Sequence, residues 1–175
     1  MKKLTYGMVG GGPESFIGDA HRKALNIDGQ AVLTAGCFSR TLEKCRMTGE
    51  ALGVSDERCY ASYEEMAKAE AARADGIDFV VVVTPNVSHY PVCKAFLDFG
   101  IPVVCDKPLC LEIWQAEELC KLMDTVGISR DLATIGVDQE TVRMTFRATK
   151  DIRDKYVLSR LAWDLGVLEE LCETL

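Results

Sequence analysis

Four short stretches of this sequence combine residue types and spacings that could do chemistry. Gly10-Gly11-Gly12 follows the apolar run Leu4–Val9 directly. Glycines there let the chain turn sharply, and their missing side chains let a pyrophosphate approach the backbone N–H groups. Ser39-Arg40 closes a second apolar run with a hydroxyl and a guanidinium, groups that suit a 2′-phosphate better than the acidic residue an NAD-selective site carries there. Thr84-Pro85-Asn86-Val87-Ser88-His89 closes a third run, and Asp106-Lys107-Pro108 a fourth. Each stretch also has a plainer reading. These are a glycine-rich surface turn, a Ser-Arg surface turn, a histidine bonded locally at a helix start, and a solvated charge pair.

Groups this far apart in sequence act together only if the strands carrying them lie side by side. The apolar patterns predict strands at Leu4–Val9 and Ala31–Cys37, a short one at Arg58-Cys59-Tyr60, and two more at Asp78–Val83 and Ile101–Cys105. The unbroken β-branched run ending at Val83 suits a strand buried on both faces. Helices are predicted at Ile17–Ile27, Thr41–Leu52, Tyr63 to about Ala74, Ser88–Phe99 and Glu112–Asp124. Ser62 and Glu65 read as a capping box. The alternation predicts an α/β fold, a Rossmann-like doubly wound parallel sheet over residues 1–124, with any ligand at the carboxyl ends of its strands. Residues 125–175 read as a helical tail: one helix over Asp138–Lys155, then Val157–Leu165 and Leu168–Leu175, broken near Gly166.

The net charge of −7 disfavours a nucleic acid or an anionic membrane as partner. No apolar run is long enough to span a bilayer, and no signal-peptide core precedes the first strand. None of the eight cysteines forms a C-x-x-C pair, and His21 and His89 lie far apart, so no metal site is expected. The thiols read as reduced and the chain as cytoplasmic. The tail is too small for a comfortable core of its own. Its Phe146, Ile152, Tyr156, Leu161, Trp163, Leu165, Leu168 and Leu171 predict a homo-oligomer formed through these helices.

Residues 1–124 resemble the nucleotide-binding half of the Gfo/Idh/MocA family of sugar and inositol oxidoreductases. The carriers are Gly10-x-Gly12, Thr84-Pro85-Asn86-x-x-His89 and Asp106-Lys107-Pro108, the last like the family's Glu-Lys-Pro with a shorter acid. The resemblance implies NADP or NAD as cofactor. It implies that Gly10 and Gly12 pass the pyrophosphate and that Thr84, Pro85, Asn86 and His89 line the nicotinamide half. Lys107 would be the catalytic residue facing nicotinamide and substrate, orienting a hydroxyl or stabilising alkoxide charge. Asp106 would hold the ribose or the lysine, and Lys107 and Pro108 would also contact the cofactor. His21 reads as structural.

The sequence also departs from that pattern. Ser15 stands where a third glycine is expected, and Pro13–Ile17 reads as an enlarged first loop. The family's second half and its Asp-x-x-x-His pair have no counterpart after residue 124. The segment Thr145–Ser159 resembles the closing helices of glycerol-1-phosphate dehydrogenases, without that family's metal and substrate residues. The expectation is an NAD(P)-binding domain, incomplete for catalysis alone. Two alternatives stand beside it: a dehydrogenase completed by an oligomer or partner, and a non-catalytic structural or regulatory subunit.

Overall fold

Parallel pairing organises the first part of the chain. The computed structural model describes residues 3–127, 129, 131–151 and 157–174. Four strands, β1 (Leu4–Gly10), β2 (Ala31–Cys37), β3 (Phe79–Val83) and β4 (Val103–Cys105), form one sheet in the order β2-β1-β3-β4, parallel throughout. The crossovers are helices α1 (Phe16–Asn26), α2 (Leu42–Leu52), α3 (Tyr63–Ala72) and α4 (His89–Asp98), and α5 (Ile113–Thr125) follows β4. The chain divides into two compact units, Met1–Ile128 and Ser129–Leu175.

The β-branched run of β3 is buried from both sides, as its composition demands. Val80 and Val82 pack into one core with Met66 of α3, Val92 and Phe96 of α4 and Leu119 of α5. Val81 faces the other way, into a core with Tyr6, Met8, Phe38 and Cys45, against which Leu25 of α1 and Leu52 of α2 also pack. Alternate residues of one strand thus serve two layers of helix, and the sheet is doubly wound.

Three expectations need correction. Arg58-Cys59-Tyr60 is not a strand. Asp56–Arg58 forms a 3-10 turn, and Cys59 makes a single bridge to Gly36 on the β2 edge. The chain must leave that edge at once to start α3, and Arg58 is drawn inward. Second, the capping box at Ser62 is half closed. The Ser62 hydroxyl accepts from the Glu65 N–H at 3.1 Å, but the Glu65 carboxylate accepts from the Ala61 N–H at 3.3 Å. Third, β4 begins after Pro102, which has no N–H to donate to a ladder.

Arg58 and Glu70 form a buried pair, 8% and 2% exposed. The Arg58 guanidinium donates to both Glu70 oxygens, at 3.1 Å through Nε. The Tyr60 hydroxyl donates to Oε1 at 2.7 Å, and the Ile77 N–H to Oε2 at 3.2 Å. One carboxylate therefore ties the β2 edge segment, α3 and the approach to β3 together.

In the second unit, the helix expected over Asp138–Lys155 is shorter. α6 spans Gln139–Ala148 and passes into a 3-10 turn at Thr149–Asp151; residues 152–156, including Ile152 and Tyr156, lie outside the described residues. α7 (Leu158–Asp164) and α8 (Leu168–Glu173) follow, separated at Gly166. Ala162, Leu168 and Cys172 are buried, with Phe146 against them. Leu158, Leu161, Trp163, Leu165 and Leu171 remain exposed.

Candidate functional site

The loop leaving β1 is shaped by glycine. Gly10 and Gly11 have φ of 82° and 71°, the left-handed region that side chains disfavour. A Cβ on Gly11 would also lie 2.5 Å from the Met8 sulfur. Pro13 and Glu14 form a turn between the glycines and α1. Ser15 caps α1, its hydroxyl accepting from the Gly18 N–H at 3.0 Å, and the helix starts at Phe16. The close-packing role of a third glycine falls to Gly18, buried against the Gly11 backbone. The sequence offered a hint, since a glycine one turn into a helix weakens it unless packing requires it. Arg22 of α1 donates to the Gly11 carbonyl at 2.6 Å and so holds the loop from below.

A cavity of about 540 Å³ lies along α2, and none of the candidate residues lines it. A larger one of about 880 Å³ opens at the carboxyl ends of β1, β2 and β3. It brings together Gly10, Ser39, Arg40, Thr84 and Pro85 from the sequence-based candidates. Gly12, Asn86, His89, Asp106, Lys107 and Pro108 are not among its lining residues. Gly11, Lys44, Tyr63 and Glu64 line it and were missed. For Lys44 the signal was its place four residues after Arg40, at the start of a helix. The Thr84 methyl lies against Gly10, and the Thr84 hydroxyl, like that of Thr34, is buried without a partner.

His89 is 1% exposed and does not face this cavity. Its Nδ1 lies 2.6 Å from the Pro108 carbonyl oxygen and its Nε2 2.8 Å from that of Thr84. Both nitrogens are turned to backbone, which leaves neither for a cofactor lying in the cleft. The Nε2 of His21, the histidine read as structural, lies 3.8 Å from Oδ1 of Asp106. The Cys105 thiol, one residue earlier, is held below its usual range, first by its hydrogen bond with Cys93 and then, against burial, by the His89 ring. Lys107 and Asn86 are exposed, each at the start of a strand-end loop.

Glycines that a Cβ would obstruct at the mouth of the cavity and two cations beyond β2 suit a phosphate-bearing dinucleotide. Residues 4–129 match the model of the Gfo/Idh/MocA proteins, described as an oxidoreductase family with an NAD-binding Rossmann fold. The chain belongs to this family. It is 42% identical over 127 residues to the uncharacterised oxidoreductase YfiI of Bacillus subtilis, covering 72% of this chain and 32% of that protein. An oxidoreductase structure from Pseudomonas syringae superimposes with a TM-score of 0.70 at 46% identity, over 71% of this chain and 34% of the other. An inositol dehydrogenase homologue from Azotobacter vinelandii, complexed with NADH and myo-inositol, gives 0.70 at 40% identity, over 72% and 33%. The chain spans about a third of the length of these Gfo/Idh/MocA relatives, and the matched third is the NAD-binding domain.

Proposed function

We propose that this Gfo/Idh/MocA chain holds a nicotinamide dinucleotide across the ends of β1, β2 and β3, prefers NADP, and does not complete a dehydrogenation alone. The observation that carries the reading is the cavity at the ends of β1, β2 and β3, which brings Gly10, Gly11, Ser39, Arg40 and Thr84 to one place. Backbone N–H groups of Gly10–Gly12 and the N-terminus of α1 would receive the pyrophosphate. Ser39, Arg40 and Lys44 would receive a 2′-phosphate, with Thr84, Pro85 and Asn86 along the nicotinamide half. The bound nicotinamide supplies or accepts a hydride. Lys107 would orient the substrate hydroxyl and stabilise negative charge developing on its oxygen, with Asp106 and Pro108 setting its loop.

The matched part covers about a third of these relatives, and on this reading the substrate pocket lies outside it. The Azotobacter homologue's NADH and myo-inositol make NAD and a polyol the natural comparison ligands. Exposed Leu158, Trp163 and Leu165 favour a second reading, association of two copies through the second unit. Among the described residues no helix is long and apolar enough to cross a membrane, and the free cysteines suit a reducing cytoplasm.

Calorimetric titration of NADP and NAD into the chain tests the first reading. Binding of NADP ahead of NAD is expected, with no turnover of simple sugars, inositols or glycerol-1-phosphate. Robust turnover abolished by Lys107→Ala would instead establish a working dehydrogenase. Sedimentation tests the second reading: a dimer or larger assembly is expected, reduced to a monomer or an aggregate when residues 138–175 are removed. A full-length monomer at micromolar concentration would refute it.

A further inference from the structure

The β3–β4 ladder ends at Val82 and Cys105, where the Asp106 N–H donates to the Val82 carbonyl at 3.0 Å. Beyond it the two strand-end loops part: Thr84-Pro85-Asn86 on one side, Asp106-Lys107-Pro108 on the other. His89, the first residue of α4, reaches both, with a carbonyl oxygen at hydrogen-bonding distance from each ring nitrogen.

A neutral imidazole carries one N–H and one bare nitrogen. With that form, one carbonyl here would accept a bond and the other would face the lone pair of a buried ring nitrogen, leaving two acceptors opposed. The doubly protonated ring donates at both ends and satisfies both carbonyls. Such bonds are charge-assisted.

We propose that His89 is a doubly donating clamp, a positioning residue that holds the Thr84 loop and the Lys107 loop at one fixed separation. It extends the contact between β3 and β4 past the last ladder bond. The hydroxyl of Thr84 and the ammonium of Lys107 are thereby set on the same nicotinamide half of the site. This consequence rests on the dinucleotide reading above; the clamp itself does not.

Nitrogen NMR of the ¹⁵N-histidine-labelled full chain reads the ring directly. His21→Gln leaves His89 as the sole histidine. Both His89 nitrogens should appear protonated at neutral pH, with slowly exchanging N–H protons; one bare nitrogen overturns the clamp. Calorimetry of His89→Gln, which keeps donors on one nitrogen only and puts an acceptor at the other position, reads the consequence. NADP affinity should fall about tenfold while ADP, a probe of the adenine half, binds within about twofold of the unaltered chain. Equal losses for both ligands, or none, would overturn the positioning role. If the unaltered chain bound neither ligand, the dinucleotide reading would fall, and NMR alone would decide the clamp.

Discussion

Gly18 packs against Gly11 so closely that a Cβ on Gly18 would lie 2.5 Å from the Gly11 α carbon. The obstacle is backbone, which cannot swing aside as a side chain can. Gly18→Ala gains helix propensity of up to about 1 kcal/mol. Forcing the loop outward should cost more, about 1–3 kcal/mol net of relaxation. Lower stability in urea is expected, together with weakened dinucleotide binding, because the loop that moves is the one proposed to meet the pyrophosphate. A Gly18→Ala chain with unchanged unfolding midpoint and unchanged NADP affinity would refute this.

Glu70 is the hub of a buried network rather than a surface pair. Removing one partner of such a pair strands the other's charge, which costs about 3–5 kcal/mol. Glu70→Ala should therefore lose about that much, since it leaves the Arg58 guanidinium, the Tyr60 hydroxyl and the Ile77 N–H without their acceptor. Tyr60→Phe removes one donor from a carboxylate that keeps two others, and should cost about 0.5–1.5 kcal/mol. Urea unfolding of both variants gives the order; a Tyr60→Phe loss equal to that of Glu70→Ala would disprove the hub.

Arg40 is exposed at the rim of the cavity, with Lys44 nearby. A charge-assisted phosphate contact is worth about 1.5–3 kcal/mol, and exposure to solvent places Arg40 at the lower end. Arg40→Ala should weaken NADP roughly tenfold and NAD much less. Lys44→Ala should act in the same direction but more weakly. Calorimetry with both cofactors decides it: equal affinities, unaffected by either change, would remove the 2′-phosphate role.

Burial pushes the Cys37 thiol up to about 12 and the Cys59 thiol to about 11, from 9.0. It also pushes the Tyr63 hydroxyl up to about 12 from 10.0, with a hydrogen bond to Glu64 adding to it. These groups stay neutral in the fold while the unfolded chain ionises. Their contribution is fully present below about pH 9 and is lost as pH rises through about 11 to 12. Urea midpoints should fall steadily across that window, and less steeply in Cys37→Ala. A flat profile would contradict the assignment.

Much of the first unit was legible because its signals are local. An apolar run of β-branched residues can only be a strand with both faces covered, and the residue at each strand end is read off directly. The parallel sheet, Ser39-Arg40 at the end of β2 and Asp106-Lys107 at the end of β4 follow from that reasoning. So does the break at Gly166. The boundaries that slipped, at Cys59, Pro102 and Ala148, are places where a neighbouring element or a missing N–H cuts a run short.

The sequence by itself determined the kind of fold, the order of its elements and the family, since all three reside in runs of adjacent residues. Tertiary structure decided which side chains meet. Gly18 replaces Ser15 as the packing glycine because α1 lies against the loop before it. Lys44 joins Arg40, and Thr84 is left unsatisfied, only once β1, β2 and β3 stand side by side. His89 turns from the cleft to the backbone because the carbonyls of Thr84 and Pro108, 5 and 19 residues away in the chain, converge on its ring. Distances between such residues are set by packing between elements, and no local pattern encodes them.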